Sequence, residues 1–127
     1  MNFEKESQEN YTVIKTKVEK LDTSNAPELK GELVFLNKQG VNNIILDLTE
    51  TRYCDSSGLS AILVANRLCK GANGSFILSG IQEPVMKLIT ISQLHTVLNI
   101  VPTYKEAVDF LFMEQIERDV DDKDDKK

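Results

Sequence analysis

Hydrophobic positions along the chain change period several times, and each change marks an element. Residues 11–18, YTVIKTKV, are rich in β-branched side chains with Lys and Thr among them, which predicts a strand with one wetter face. Residues 3–7 are expected to pair with it as a short edge strand. In SNAPELKGELVFLNKQG, Ala26, Leu29, Leu33 and Leu36 recur every three or four residues, the period of a helix with one buried stripe. Asn25 followed by Glu28 predicts a capping box, Pro27 suits the first turn, and Gly40 stands where a left-handed C-terminal residue is needed.

Residues 43–48, NIILDL, and 75–80, SFILSG, are short continuous apolar runs, as expected of central strands covered on both faces. Between them lies YCDSSGLSAILVANRLCK, where Leu59, Ile62, Leu63, Ala65 and Leu68 form a wide apolar surface and Gly71 and Gly74 follow to close the helix. A right-handed strand–helix–strand crossover puts this helix on the sheet, with its N-terminus near a strand's C-terminal end. Pro84 starts a further helix with Val85, Leu88 and Ile89 inward. Residues 96–101, TVLNIV, read as another strand. Thr103 with Glu106 predicts a second capping box, ahead of a stripe of Tyr104, Ala107, Val108 and Leu111. After about Glu117 the pattern dissolves into ERDVDDKDDKK, which reads as a solvated, frayed tail. The alternation predicts one α/β domain over residues 1–113, a mixed sheet of four to five strands with about four helices, followed by an acidic disordered tail over 114–127.

Composition narrows the function classes. The chain has 127 residues, 41% hydrophobic and 28% charged, ordinary for a globular protein of this length, which can bury roughly two thirds of its unfolded surface without disulfides. A formal charge of -5 and the lack of a Lys/Arg stripe with interleaved aromatics argue against nucleic acid as partner. The apolar runs fall short of the roughly 20 residues of a spanning helix, and MNFEKESQEN has no signal-peptide character, so neither a membrane nor export is expected and the chain is placed in the cytoplasm. Cys54 and Cys69 form no CxxC pair and have one histidine for company, so both read as small buried residues, with no metal or cofactor implied.

The candidate chemistry sits before the second helix. Ligands of open α/β sheets bind beyond the carboxyl ends of strands, where helix N-termini offer unpaired N–H groups. Asp55, Ser56 and Ser57 can each cap a helix, but one cap needs one such residue, and Gly58 costs the first turn about 1 kcal/mol relative to Ala. A hydroxyl at a helix start, with no side chain on the next residue to obstruct approach, is a plausible acceptor of a phosphoryl group.

DSSGLSAIL, preceded by NIILDLTETRYC and followed by SFILSGIQEPVMKLI, resembles the anti-sigma-factor antagonist family of small cytosolic proteins with the STAS fold. The likeness spans roughly residues 3–112 and includes LDTSNAPEL and IVPTYKEAVDFL. It implies Ser57 as the residue phosphorylated by an anti-sigma factor, an ATP-using serine kinase of histidine-kinase-like fold, with a serine phosphatase reversing the step. It also implies Asp55, Ser56 and Gly58 as the surroundings of the acceptor, and Asp22, Thr23 and Ser24 as partner-binding candidates. The unmodified chain would then bind the kinase and free a sigma factor. Ser60 departs from the glycine or alanine often found at that place in the family, but remains small. Two other readings stay open. In one, the same fold is a scaffold subunit of a stress-signalling or lipid-transport assembly without phosphorylation. In the other, Ser57 is a nucleophile with His95 as base, a reading weakened by the lack of a GxSxG elbow.

Overall fold

Strand residues alternate between two apolar cores in the computed structural model, which describes residues 2–125. Among the described residues, seven strands and four α-helices follow in the order β1 (Phe3–Ser7), β2 (Thr12–Thr16), β3 (Lys20–Leu21), α1 (Ala26–Lys38), β4 (Ile44–Asp47), β5 (Tyr53–Cys54), α2 (Ser56–Gly71), β6 (Phe76–Ser79), α3 (Glu83–Ile91), β7 (Asn99–Val101) and α4 (Tyr104–Asp125). Five strands form one mixed sheet in the order β1-β2-β4-β6-β7; β1 is the antiparallel edge and the other pairs are parallel. Ile14, Ile44, Leu46, Phe76 and Leu78 face a core shared with α1, α2 and α3. Val13, Ile45 and Ile77 face the opposite way, where Ala107 and Leu111 of α4 cover them. Both central runs are therefore covered on each side, as their unbroken apolar character requires.

The α1 stripe is as expected: Ala26, Leu29, Leu33 and Leu36 are its buried residues, and Gly40 has a φ of 88°. Its cap is not. Asn25 makes no side-chain cap bond; its Oδ1 accepts from the Asp22 N–H at 2.9 Å and its Nδ2 donates to the Lys20 carbonyl at 2.8 Å, while Glu28 accepts from Asn2. A buried amide can serve one set of partners, and here it braces the approach to the helix instead of its first turn. In α2, Leu59, Ile62 and Ala65 are buried as expected, Leu63 and Leu68 only partly, and Asn66 and Cys69 join the buried face. The turn after α2 is made by Asn73, at φ 61°, and not by a glycine. Gly74 is needed for packing, because a Cβ there would fall 1.8 Å from the Asn42 carbonyl oxygen.

Strand β7 is shorter than the expected 96–101, since Leu94–Thr96 form a 3₁₀ turn. Thr103 Oγ1 accepts from the Glu106 N–H at 3.2 Å, one half of the expected capping box. Tyr104, placed in the inward stripe by periodicity, is 39% exposed and meets Tyr11 hydroxyl to hydroxyl at 2.7 Å. The path of residues 114–125 also differs from the irregular tail expected from composition, because α4 continues to Asp125; residues 126 and 127 of that expected tail lie outside the described residues. Elongating a helix already nucleated against a sheet costs far less than starting one, and Arg118 Nη1 anchors the extension by donating to Ser75 Oγ at 2.8 Å. Among the described residues no helix is long and apolar enough to cross a membrane.

Candidate functional site

Two loops at the carboxyl ends of the strands are joined by a second, two-stranded sheet. Lys20 pairs with Tyr53 and Leu21 with Cys54 in the parallel β3–β5 ladder, extended by the Arg52 and Tyr53 N–H groups to the Glu19 carbonyl and by the Asp55 N–H to the Leu21 carbonyl. Fully buried Thr51 braces the same join, its Oγ1 lying 2.8 Å from the Val18 carbonyl and 2.6 Å from Thr16 Oγ1. This clasp sets the loop before α1 beside the start of α2, although they are more than thirty residues apart in sequence. Two-residue strands are too short for periodicity to reveal, so the pairing was not legible beforehand.

Asp55 is the N-cap of α2, with extended backbone, and its Oδ1 accepts from the Gly58 N–H at 3.0 Å. Ser56 and Ser57 then occupy the first and second helical positions. Ser56 is exposed and Ser57 half-buried, its hydroxyl 3.2 Å from Thr23 Oγ1. Thr23 in turn donates to Asp55 Oδ2 at 3.4 Å. The Thr23 and Ser57 hydroxyls share one hydrogen bond in which either can donate. Asp22 folds its own loop: Oδ1 accepts from Ser24 N–H at 3.0 Å and Ser24 Oγ at 2.6 Å, and these bonds hold the Asp22 carboxyl below its ordinary 3.8. Of the residues singled out from the sequence, Asp55, Ser57 and Thr23 meet directly, Asp22 and Ser24 shape the adjoining turn, and Ser56 lies beside them on the surface.

Gly58 has a role other than the one expected. It is buried, and a Cβ there would lie 2.5 Å from both Cys54 Sγ and the Leu21 carbonyl oxygen. The missing side chain lets α2 approach the clasp and does not serve to clear the way to Ser57. Cys54 is partly exposed, unlike fully enclosed Cys69; burial, reinforced by the Asp55 charge, raises its thiol to about 12, so it stays protonated at neutral pH and is a poor nucleophile.

Beside these groups lies a depression of about 460 Å³ lined by Lys20, Leu21, Asp22, Tyr53, Cys54 and Asp55. Tyr53 is 51% exposed, with Lys20 Nζ 5.9 Å from its ring centre. Neither residue was singled out from the sequence; a lone aromatic two residues before a polar cap was the available signal. His95 does not belong here. It sits on the 3₁₀ turn after α3, near the Val97 carbonyl to which Lys70 donates, and Lys70 lies at the far end of α2, about 20 Å along the helix from Ser57. Among the described residues no group of three or more His, Cys, Asp or Glu side chains is placed to hold a metal ion.

The arrangement offers a reachable hydroxyl at the positive end of a helix, fixed by a neutral partner and flanked by one carboxylate already occupied in capping. Among the described residues, the side-chain hydrogen-bond partner of Ser57 Oγ is the Thr23 hydroxyl, which is not a base.

Comparison with known proteins adds the following. A family model described as STAS domain matches residues 2–107. An anti-sigma-B factor antagonist of Bacillus subtilis (strain 168) is 28% identical over 101 residues, which make up 79% of this chain and 92% of the relative. The Bacillus cell fate determinant SpoIIAA in its phosphorylated form superimposes with a TM-score of 0.67 at 25% identity, covering 84% of this chain and 96% of that one. Its unphosphorylated form, described as an anti-sigma factor antagonist, gives a TM-score of 0.67 at 23% identity over 84% of this chain and 94% of that one. A sulfate transporter family protein of Wolinella succinogenes shares the fold, with a TM-score of 0.70 at 15% identity over 80% of this chain and 84% of that chain.

Proposed function

The chain belongs to the STAS domain family, and from that premise we propose that it is an anti-sigma factor antagonist switched by phosphorylation of Ser57. Unmodified, it binds an anti-sigma factor serine kinase through the α2 start and the Asp22–Ser24 loop, so freeing a sigma factor in the cytoplasm; the phosphoryl group ends that contact until a serine phosphatase removes it. One observation carries this reading: the Ser57 hydroxyl stands partly exposed at the N-terminus of α2, joined to Thr23 of the neighbouring loop. The relationship to proteins described as antagonists, one of them seen in a phosphorylated form, supports it.

The energetics fit a switch that spares the fold. A phosphoryl group adds about -1.5 to -2 charges. The helix dipole favours this by roughly 0.3 to 1 kcal/mol, while the Asp55 carboxylate opposes it by about 1 to 4 kcal/mol, depending on the effective dielectric. These opposed terms stay below the stability of an ordinary domain, about 5 to 15 kcal/mol. The same charge desolvated against a partner costs several kcal/mol, and about 1.4 kcal/mol already changes affinity tenfold. The ester oxygen also has no proton, so of this pair only Thr23 could then donate, and its one proton would be contested by Asp55 and the phosphate.

The test is a phosphorylation assay with ATP and a candidate anti-sigma kinase, read by mass spectrometry of intact chain and peptides. One phosphoryl group is expected on the wild type and none on Ser57→Ala; modification surviving in that variant rules Ser57 out. In a binding titration, Ser57→Asp should weaken the complex at least about tenfold, with an unchanged circular-dichroism spectrum. Unchanged affinity would favour the scaffold reading.

A further inference from the structure

Helix α4 carries an apolar stripe that the fold does not use. Ala107 and Leu111 face the sheet, and Arg118 reaches Ser75 on the same side. At about 100° per residue, Phe112, Met113, Ile116 and Val120 gather on the opposite, solvent side, where they are 40%, 58%, 56% and 50% exposed. The spacing of Met113, Ile116 and Val120, three residues and then four, is that of a helix–helix seam. The rims are acidic: Glu117 and Asp119 flank the stripe, and Asp109 lies at its N-terminal end. Nine Asp or Glu against three Lys or Arg give α4 a formal -6 in a chain totalling -5, so the rest of the protein is nearly neutral.

We propose that this face of α4 is a docking surface for a basic amphipathic helix of a partner protein. Its apolar residues seat on Met113, Ile116 and Val120, and its Lys or Arg residues meet Asp109, Glu117 and Asp119. Charge selects this occupant. A second copy of the chain would set one acidic rim against another, which is unfavourable at the flanks of a helical seam, and the four side chains offer well under the roughly 800 Å² per partner of a stable interface between folded proteins. Anionic lipid is repelled by the same carboxylates. A single helix needs only a narrow stripe, and complementary charge along both rims sets its register.

The surface is separate from the Ser57 site. α4 starts beyond the carboxyl end of β7 and has reached Ser75, just before β6, by Arg118. The stripe therefore runs toward the other end of the sheet, on the face away from α1, α2 and α3, and docking there is indifferent to charge at residue 57.

The experiment is fluorescence anisotropy with the full chain and a labelled Leu/Lys peptide of about 18 residues, five helical turns, with its leucines on one face. The control is a peptide of equal composition with the leucines spread around the helix. The amphipathic peptide should bind at least about tenfold more tightly than the control. Met113→Ser with Ile116→Ser should remove that preference with an unchanged melting temperature, and Ser57→Asp should leave it intact. Equal binding of the two peptides would reduce the effect to general charge attraction and overturn the proposal, as would an undiminished preference in the double variant. A concentration-dependent dimer in sedimentation that the double variant renders monomeric would also overturn it, by showing that a second copy covers the stripe.

Discussion

A methyl group added at Gly58 would meet the Leu21 carbonyl and the Cys54 sulfur at 2.5 Å, one on each strand of the clasp. Backbone on one side and a half-buried thiol on the other leave little room to yield, so α2 must shift outward. Gly58→Ala is expected to destabilise by about 1 to 3 kcal/mol, the range for overpacking, despite the better helix propensity of alanine. Ser56→Ala, two residues away in the same turn but exposed, should stay within about 0.5 kcal/mol. Thermal melts of the two variants side by side check this, and a Gly58→Ala protein as stable as wild type would restore the view that this glycine serves access to Ser57. The sequence showed that a glycine stood here at a cost to the helix. It could not show why, since the reason is a carbonyl on a strand thirty-seven positions upstream.

At the scale of elements, helices were more legible than their ends. Repeats of three and four located α1 and α2 because a buried stripe must recur with the helical turn, and the continuous runs located β4 and β6 because both faces of those strands are covered. Caps depend on single hydrogen bonds, for which a polar side chain has several competing partners. Asp55 caps α2 whereas Asn25, equally suitable by type, is drawn to Asp22 and Lys20. Removing the α2 cap with Asp55→Ala should cost about 1 kcal/mol, and Asp55→Asn, which retains an accepting oxygen, clearly less. Denaturant titrations with unchanged slope and a shifted midpoint would report both, and equal losses would show that charge at the helix start, not the cap bond, is the stabilising factor.

For the molecule as a whole, the balance of its two cores limits what can be removed. The larger core lies under three helices, while the smaller one depends on α4 through Ala107 and Leu111, both before residue 113. Residues 1–113 alone should therefore unfold cooperatively, with a melting temperature lowered modestly by the loss of the Arg118–Ser75 bond. Near-ultraviolet circular dichroism on heating checks this; a broad, featureless transition would make the overhanging part of α4 integral to the domain. Composition marked residues 114–127 as acidic and solvated, but charge content does not by itself distinguish a coil from a helix extended off a packed first half, as residues 114–125 are.

The ladder between Lys20–Leu21 and Tyr53–Cys54 also bears on tempo. Loops that must order themselves on meeting a partner lose entropy and time at each encounter, whereas these two are already tied together before contact. A signal written on Ser57 would thus need no rearrangement of the domain to be read, and its lag would be set by the enzymes that write and erase it.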